Sequence, residues 1–233
     1  MRRNVLIALA ATLAPVPALA QAYQCTLPHT VAPIRPVAPD GPVRKLPVAG
    51  YTLAASWSPD YCKMSGDTTS MQCSRRNGRF GFILHGLWPE AARGPAPQWC
   101  ATRPLPTPEV VRRNLCMTPS PGLLAHEWAK HGSCMTKRPA TYFKVSAILW
   151  RSIRWPDADR LSRHKDLTAG DLRKAFVARN PDWKREYVGL DVSRAGWLRE
   201  IRLCYGKDFM PKACSKWQFG PADSAPLKIW RGL

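Results

Sequence analysis

The segment Leu123–Cys134 reads L-L-A-H-E-W-A-K-H-G-S-C and concentrates ionisable side chains on a short stretch of chain. Residues three or four positions apart face the same side of an α-helix, and Glu127 lies four positions before His131 and three before Lys130. A helix here would therefore gather imidazole, carboxylate and ammonium groups, and Gly132 is a residue type at which helices end. Taken alone, the pattern also fits an exposed amphipathic helix whose charges are solvated.

A second segment, Arg79–Pro89, is an apolar run with one histidine in its middle, R-F-G-F-I-L-H-G-L-W-P. Its aromatic and branched residues predict a buried strand. Packing alone does not require an imidazole at His85, although a core histidine bonded to a backbone carbonyl would also fit. Gly86, directly beside it, permits close approach of another backbone or a ligand. The two segments together favour one shared site over two unrelated sets of histidines.

These segments resemble the ribonuclease T2 family of secretory acid ribonucleases, which is marked by H-G-L-W-P on a strand and H-E-W-x-K-H-G-[ST]-C on a helix. Both motifs are present without departures, at His85–Pro89 and His126–Cys134. The segment Tyr51–Cys62 is similar as well, and the likeness extends from about Gly50 to the end of the chain. The resemblance implies a single α+β domain, with a central antiparallel sheet flanked by helices and stapled by disulfides.

The resemblance also implies catalytic roles in the cleavage of single-stranded RNA, where the 2′-hydroxyl is the nucleophile. His131 corresponds to the base and His85 to the acid, while Glu127 and Lys130 correspond to groups that stabilise the transition state. Histidine suits both proton transfers because its pKa lies near the working pH. The two roles exchange in a second step, in which water opens the 2′,3′-cyclic phosphate to a 3′-phosphate. The residues themselves leave open which histidine acts first.

Three further positions match substrate-binding residues of the family. His126 corresponds to a phosphate ligand, and Trp88 to an aromatic ring that stacks on a base, which suits low specificity because every base has a stacking face. A core tryptophan is an equally good interpretation of Trp88. Glu90 stands where aspartate is familiar, so the base preference stays open. The implied reaction needs no metal and no cofactor, and DNA should be inert because it lacks the 2′-hydroxyl.

The N-terminus has the pattern of a secretory signal peptide: basic Met1–Asn4, apolar Val5–Ala14 and small residues at Ala18–Ala20. We therefore predict a signal peptide at residues 1–20, a Pro-rich and passive N-terminal arm at 21–48, and a ribonuclease catalytic domain at 49–233. The apolar run of the signal is too short to span a bilayer, and no later run reaches the required length of about 18 residues. No membrane span is expected.

Eight cysteines follow the predicted signal peptide, an even number that favours four disulfides and an oxidising compartment. No C-x-x-C pair is present, which gives little support to a structural zinc site. About 105 pairings of eight cysteines are possible. The resemblance suggests Cys100–Cys134 and Cys204–Cys214, proximity suggests Cys62–Cys73, and elimination leaves Cys25–Cys116.

The charge of the chain is lopsided, with 35 basic against 16 acidic residues and a formal net charge of +19. Such a balance favours polyanionic partners, either nucleic acid or an anionic envelope surface. The bias toward Ala, Arg and Pro suggests a GC-rich bacterial source. We therefore expect a monomer in the periplasm, with release to the medium as the second choice.

Two other classes of function would also account for some of these features. A zinc hydrolase could use His85, His126 and His131, but helical zinc pairs usually have H-E-x-x-H spacing, and here the helical histidines are five positions apart with Lys130 between them. A non-catalytic basic protein that binds polyanions would explain the charge. It would not explain His85 in an apolar strand.

Hydrophobic periodicity and turn residues also predict individual elements. A strand is expected at Tyr51–Trp57, a loop closed by cysteines at Lys63–Asn77, and a strand at Gly196–Tyr205. Three more helices are expected at Glu109–Leu115, Thr141–Trp155 and Thr168–Asn180, the last with a capping box from Thr168 and Asp171. A final strand is expected at Leu227–Trp230.

Overall fold

A computed structural model of the chain describes residues 22–23, 25–101 and 103–232. The signal peptide expected at residues 1–20 lies outside the described residues. Within the described part, no helix is both long enough and apolar enough to cross a bilayer.

Six strands occur in the described residues: β1 (Ala22–Tyr23), β2 (Gly50–Trp57), β3 (Arg79–Phe80), β4 (Phe82–Glu90), β5 (Val188–Val192) and β6 (Leu198–Gly206). Strands β1 and β3 pair with each other, and the remaining four form a central sheet in the order β4-β2-β6-β5. Every pairing is antiparallel. Strand β2 thus lies between the strand that carries His85 and strand β6.

In the part of the chain that the structure describes, seven α-helices accompany the sheet: α1 (Ser58–Ser65), α2 (Pro108–Asn114), α3 (Pro121–Lys130), α4 (Pro139–Ser152), α5 (Ala158–Leu161), α6 (Ala169–Arg179) and α7 (Lys216–Phe219). Short 3-10 turns cover Gly132–Cys134 and Arg185–Tyr187. The capping box expected at the start of α6 is present, with Thr168 and Asp171 each accepting from the other's backbone N–H. Helices beside an antiparallel sheet confirm the α+β fold class.

The two faces of the sheet differ in chemistry. On β2, the side chains of Leu53, Ala55 and Trp57 are at most 1% exposed and belong to the main apolar core. Helical residues of the same core include Leu124, Trp128, Tyr142, Phe143 and Trp150. Because side chains alternate along a strand, Ser56 points to the opposite face, where its register partner on β6 is Glu200. The second face is therefore available for polar groups.

Four disulfides join all eight cysteines: Cys25–Cys116, Cys62–Cys73, Cys100–Cys134 and Cys204–Cys214. These are the four pairs expected from the sequence. The Cys100–Cys134 bond attaches the segment before α2 to the end of α3, and Cys25–Cys116 attaches the N-terminal arm to the segment after α2. Covalent links thus hold both the arm and the end of α3 to the body of the domain.

The Pro-rich arm is packed on the domain. Leu27, Val31 and Ile34 are partly buried against the core. Further along, the N–H of Arg44 donates to the carbonyl of Gln98 at 2.9 Å, and the N–H of Gln98 donates back at 3.1 Å. This antiparallel bridge fixes the course of the arm just after Asp40.

The loop expected at Lys63–Asn77 is confirmed from Gly66 onward and is closed by the Cys62–Cys73 bond, but its predicted start was wrong. The loop expected from Lys63 is helical as far as Ser65, because Pro59 starts α1 and Gly66 ends it in the left-handed conformation, at φ +67°. Helix α1 leaves Tyr61 and Met64 exposed, so the sequence has no apolar stripe there that would indicate a helix.

The strand expected at Leu227–Trp230 is absent from the described residues. Only isolated bridges occur around this segment. Pro226 pairs with Thr168 in the antiparallel direction, whereas Lys228 pairs with Trp197 in the parallel direction. A continuous ladder cannot form when the partner and its direction both change. Strand β5 and the short helices α5 and α7 were not predicted, and α4 ends at Ser152, before the expected Trp155.

Candidate active site

Helix α3 carries three ionisable side chains on its last turns, His126, Glu127 and Lys130, and a fourth, His131, is its C-cap residue. Ser120 caps its start by accepting from the N–H of Leu123, and Pro121 occupies the first turn. The helix ends at His131, whose N–H donates to the carbonyl of Glu127 at 3.1 Å. A side chain on Gly132 would press into Trp128 and Tyr142, so only glycine lets the chain turn there towards Cys134.

His85 lies at a β-bulge in strand β4. Ala54 of β2 faces Gly86, whereas the next residue, Ala55, faces Leu84, so His85 is left without a partner across the ladder. Bulges bend a strand and redirect the extra side chain, and they are frequent next to active sites. The bulge explains how an apolar strand presents one half-buried imidazole.

The strand and the helix meet at the carboxylate of Glu127. His85 Nε2 lies 3.5 Å from Glu127 Oε1, and Trp88 Nε1 donates to Glu127 Oε2 at 2.8 Å. The Trp88 ring centroid is 5.2 Å from that of His85 and 5.6 Å from that of His131. A Cβ on Gly86 would overlap Glu127 Oε2. The two segments therefore converge through a contact that requires glycine.

A second carboxylate holds the other nitrogen of His85. His85 Nδ1 donates to Glu200 Oε1 at 2.6 Å, and the hydroxyl of Ser56 donates to the same oxygen at 2.9 Å. Arg202 Nε donates to Glu200 Oε2 at 3.1 Å, and a terminal nitrogen of Arg202 binds Asp191 at 2.9 Å. His85 is thus bonded to β6 on one side and faces α3 on the other.

The protonation of His85 follows from these two carboxylates. Burial by itself lowers the pKa of His85, but the hydrogen bond to Glu200 and the charges of Glu127 and Glu200 outweigh burial, so the pKa is raised above its usual value. Burial raises the pKa of Glu200, yet the hydrogen bond and charge of His85, with Arg202, bring that pKa down to about 2. Below the usual histidine pKa of about 6.5, the pair is therefore imidazolium and carboxylate.

The pKa values of the groups on α3 are shifted in the opposite sense, because the carboxyl pKa is raised and the histidine pKa is lowered. Burial raises the pKa of Glu127 to about 7, against the opposing effects of His85 and Trp88. Burial, together with the charges of Lys130 and the other histidines, lowers the pKa of His131 to about 3. His131 Nδ1 is buried and has no hydrogen-bond partner among the described residues. At neutral pH, His131 is a neutral imidazole and Glu127 is partly protonated.

Lys130 and His126 face a residue of the N-terminal arm. The ammonium of Lys130 lies 3.0 Å from the carboxylate of Asp40, and Nε2 of His126 lies 3.9 Å from it. The buried Trp99 also donates its ring N–H to Asp40 at 3.2 Å. The hydrogen bond and charge of Lys130 hold the pKa of Asp40 below its usual value. Lys130 and His126 therefore form a basic corner that a carboxylate of the same chain contacts.

Glu90 lies further along β4 and makes different contacts. Its Oε1 accepts from the hydroxyl of Thr52 at 2.8 Å and from the amide of Gln218 at 3.2 Å. Burial raises the pKa of Glu90 above its usual value. The structure thus brings together His85, Trp88, Glu127 and His131. Glu90 instead belongs to a separate polar network with Thr52 and Gln218.

Comparison with known proteins identifies the family to which the chain belongs. The sequence model of the ribonuclease T2 family matches residues 49–165. A ribonuclease of Aeromonas hydrophila is 43% identical over 165 residues, covering 68% of this chain and 72% of that protein. The chain belongs to the ribonuclease T2 family. A probable ribonuclease of Haemophilus influenzae is 33% identical over 183 residues, covering 73% of this chain but only 62% of its own length.

Solved ribonucleases share the fold. Trichomaglin, described as an S-like ribonuclease, superposes with a TM-score of 0.63 at 21% identity, covering 79% of this chain and 98% of its own. RNase NT, solved in complex with 5′-AMP, gives a TM-score of 0.60 at 20% identity, covering 78% and 98%. At this identity the likeness establishes the architecture alone.

Several residues of the candidate site carry no local signal in the sequence. Glu200 is a single acid in an alternating strand, Ser56 is a small polar residue, and Asp40 lies in a segment that composition described as an arm. Asp40 and Glu200 both fall outside the matched region, residues 49–165. Among the described residues, no three His, Cys, Asp or Glu side chains are arranged to hold a metal ion.

Proposed function

We propose that this T2-family chain is an endoribonuclease that cleaves single-stranded RNA through a 2′,3′-cyclic phosphate to 3′-phosphate ends, without metal or cofactor. One observation carries the proposal. Two imidazoles with opposite pKa shifts, raised at His85 and lowered to about 3 at His131, both lie against Trp88, with ring centroids 5.2 Å and 5.6 Å from its own. One general base and one general acid on two elements are what in-line phosphodiester cleavage requires.

In the first step, neutral His131 removes the proton of the 2′-hydroxyl. The 2′-oxygen forms a bond to phosphorus, the bond from phosphorus to the 5′-oxygen breaks, and charged His85 donates its proton to that leaving oxygen. The pKa directions support this order, because the group with the low pKa starts neutral and the group with the raised pKa starts charged. The products are a 2′,3′-cyclic phosphate and a free 5′-hydroxyl.

In the second step, the roles reverse. His85, now neutral, accepts a proton from water as the water oxygen attacks phosphorus, and His131, now charged, returns a proton to the departing 2′-oxygen. The 3′-phosphate that results restores both histidines to their starting states. No outside proton carrier is needed, since each step leaves the pair ready for the other.

Charge on the phosphorane is stabilised from α3. Lys130 supplies a fixed positive charge at this end of the helix, and His126 binds a phosphate oxygen. Glu127, with a pKa of about 7, is protonated in mild acid and can then donate a hydrogen bond to a phosphate oxygen. These three groups are the transition-state and phosphate ligands of the proposal.

The base contacts are proposed at Trp88 and Glu90. Trp88 offers an aromatic surface, which favours stacking without base preference, while its ring N–H is engaged by Glu127. Glu90 contacts the base through the carboxylate oxygen that Thr52 and Gln218 leave unoccupied. Single-stranded RNA is the substrate, DNA is inert without its 2′-hydroxyl, and the enzyme acts as a monomer in the periplasm, where its four disulfides are stable.

The test is an assay on poly-U with His85→Ala and His131→Ala, in excess EDTA. The wild type should release 2′,3′-cyclic phosphates, and each variant should lose at least about 100-fold in rate while RNA binding is retained. His164→Ala, in an exposed loop, is the matched control and should behave as the wild type. Binding of poly-U without any cyclic product in the wild type would instead identify a non-catalytic polyanion-binding protein.

A further inference from the structure

Glu200 is a buried acid for which the proposed mechanism has no direct use. It is 7% exposed, and three side chains hold it. His85 and Ser56 both donate to Oε1, and Arg202 donates to Oε2. A buried carboxylate is costly unless its charge is paired and its oxygens accept hydrogen bonds, and here both conditions are met.

The position of Glu200 is fixed as well, because it lies on a strand that is paired on both sides. Strand β6 pairs along its length with β2 and β5, so Ser56 and Glu200 are direct register partners. Arg202 is fixed in turn by Asp191 on β5 at 2.9 Å. The carboxylate is therefore held by three neighbouring strands, and it holds the imidazole of His85 on the face that meets α3.

We propose that Glu200 is the positioning residue of His85, fixing the imidazole with its proton on Nδ1 and Nε2 directed at the reacting phosphate, and keeping the ring charged for the proton donation. This inference rests on the proposed function, in which His85 is the acid of the first step. A fixed carboxylate beside Nδ1 selects one tautomer.

Other charged groups also face His85, but Glu200 has the largest effect of these groups on its pKa. On α3, Glu127 lies 3.5 Å from Nε2, but its raised pKa of about 7 means that it is only partly ionised at neutral pH. On β6, the charge of Arg202 opposes a positive imidazole. The charge of His85 in turn lowers the pKa values of His126 and His131. Glu200 is the nearest of these groups, at 2.6 Å, and it is ionised throughout the working range.

The first measurement is an NMR titration of the His85 ring in the wild type and in Glu200→Gln. Gln keeps the shape of the side chain and removes its charge, so the pKa of His85 should fall by about 1 or more. Glu109→Gln, at a 70% exposed acid on α2, is the matched control and should leave the pKa of His85 unchanged. A His85 pKa that is equal in wild type and Glu200→Gln would overturn the proposal.

Kinetics separate positioning from folding. In Glu200→Gln, the alkaline limb of kcat/KM should move to lower pH with the His85 titration, kcat at pH 7 should fall about tenfold or more, and KM should change less than twofold. Glu200→Asp keeps the charge and should restore most of the alkaline limb. An unmoved limb in Glu200→Gln, or a limb in Glu200→Asp no better than in Glu200→Gln, would contradict the proposed role.

Nitrogen NMR of the wild type alone gives a test that needs no variant to fold. At a pH above the His85 titration, Nδ1 should carry the proton and Nε2 should be bare; the opposite tautomer would overturn the proposal. An inactive wild type whose His85 still shows this tautomer and the Glu200-dependent pKa would refute the proposed function while leaving the contact intact. Activity with the opposite tautomer would refute the role of Glu200 alone.

Discussion

The carboxylate of Asp40, in the N-terminal arm, lies 3.0 Å from the ammonium of Lys130, on the helix that carries the catalytic candidates. Trp99 donates to the same carboxylate, and His126 lies 3.9 Å from it. Lys130 and His126 are the groups proposed to contact an RNA phosphate. An anionic side chain of the chain itself therefore contacts the place where the substrate's negative charge would be held.

Replacement of Asp40 by Asn should strengthen substrate binding. Removing the negative charge frees Lys130 and His126 for phosphate, so KM for poly-U at low salt should fall about two- to fivefold, a small factor because partly exposed charge pairs are screened by water. Steady-state kinetics at two salt concentrations measure it. Asp182→Asn, at an exposed acid on the surface, is the matched control. A KM for Asp40→Asn equal to or above the wild-type value would show that Asp40 assists the site.

The rate should depend on pH as a broad bell. His131 must be neutral, and its pKa of about 3 places the acidic limb near that pH. His85 must be charged, and its raised pKa places the alkaline limb above the usual histidine value of 6.5. The measurement is kcat/KM from pH 3 to 9 on a short oligoribonucleotide. An acidic limb near pH 6 to 7 would contradict the assignment of His131 as the neutral base.

Gly86→Ala should damage the site with little effect on the rest of the fold. The added methyl overlaps Glu127 Oε2, so the carboxylate must leave its position beside His85 and Trp88. We expect kcat to fall at least about tenfold and the free energy of unfolding to fall by about 1–3 kcal/mol. Gly122→Ala, on the exposed first turn of α3 with 3.9 Å to its nearest neighbour, is the control. Wild-type activity in Gly86→Ala would mean that Glu127 need not be placed there.

Trp88→Phe separates the two possible uses of that side chain. Phenylalanine keeps an aromatic face for a base and loses the N–H that donates to Glu127 at 2.8 Å. If Trp88 positions Glu127, kcat should fall about fivefold or more while KM stays within about twofold, since one hydrogen bond to a charged group is lost. Trp217→Phe, at a 67% exposed tryptophan, controls for general effects. An unchanged kcat, with KM also close to the wild-type value, would contradict the positioning role and leave base stacking as the use of Trp88.

Local signals explain what the sequence could predict. The capping residues of α3 and α6 and the alternation along β2 and β6 are set by neighbours a few positions away, so they can be read from a short window. The histidine motifs were equally local, since Glu127, Lys130 and His131 lie on one helix and His85 on one strand. The α+β class and the family followed from those segments.

Long-range contacts explain what the sequence could not predict. Glu200 is 115 positions from His85 and Asp40 is 90 positions from Lys130, and each looks ordinary in its own segment. Glu200 becomes part of the site only because β6 pairs with β2 in one register, and Asp40 only because the arm bridges to Gln98. Such contacts arise from the packing of distant segments, which no local pattern encodes.

The central claim is that two imidazoles move protons while the substrate's own 2′-hydroxyl attacks phosphorus. The most direct measurement is mass spectrometry of a DNA oligomer that contains one ribonucleotide, after incubation with wild type, His85→Ala or His131→Ala. We predict that the wild type cuts only on the 3′ side of the ribonucleotide and leaves a 2′,3′-cyclic phosphate there, and that neither variant cuts at a comparable rate. Cuts between deoxynucleotides, or 5′-phosphate ends, would contradict it.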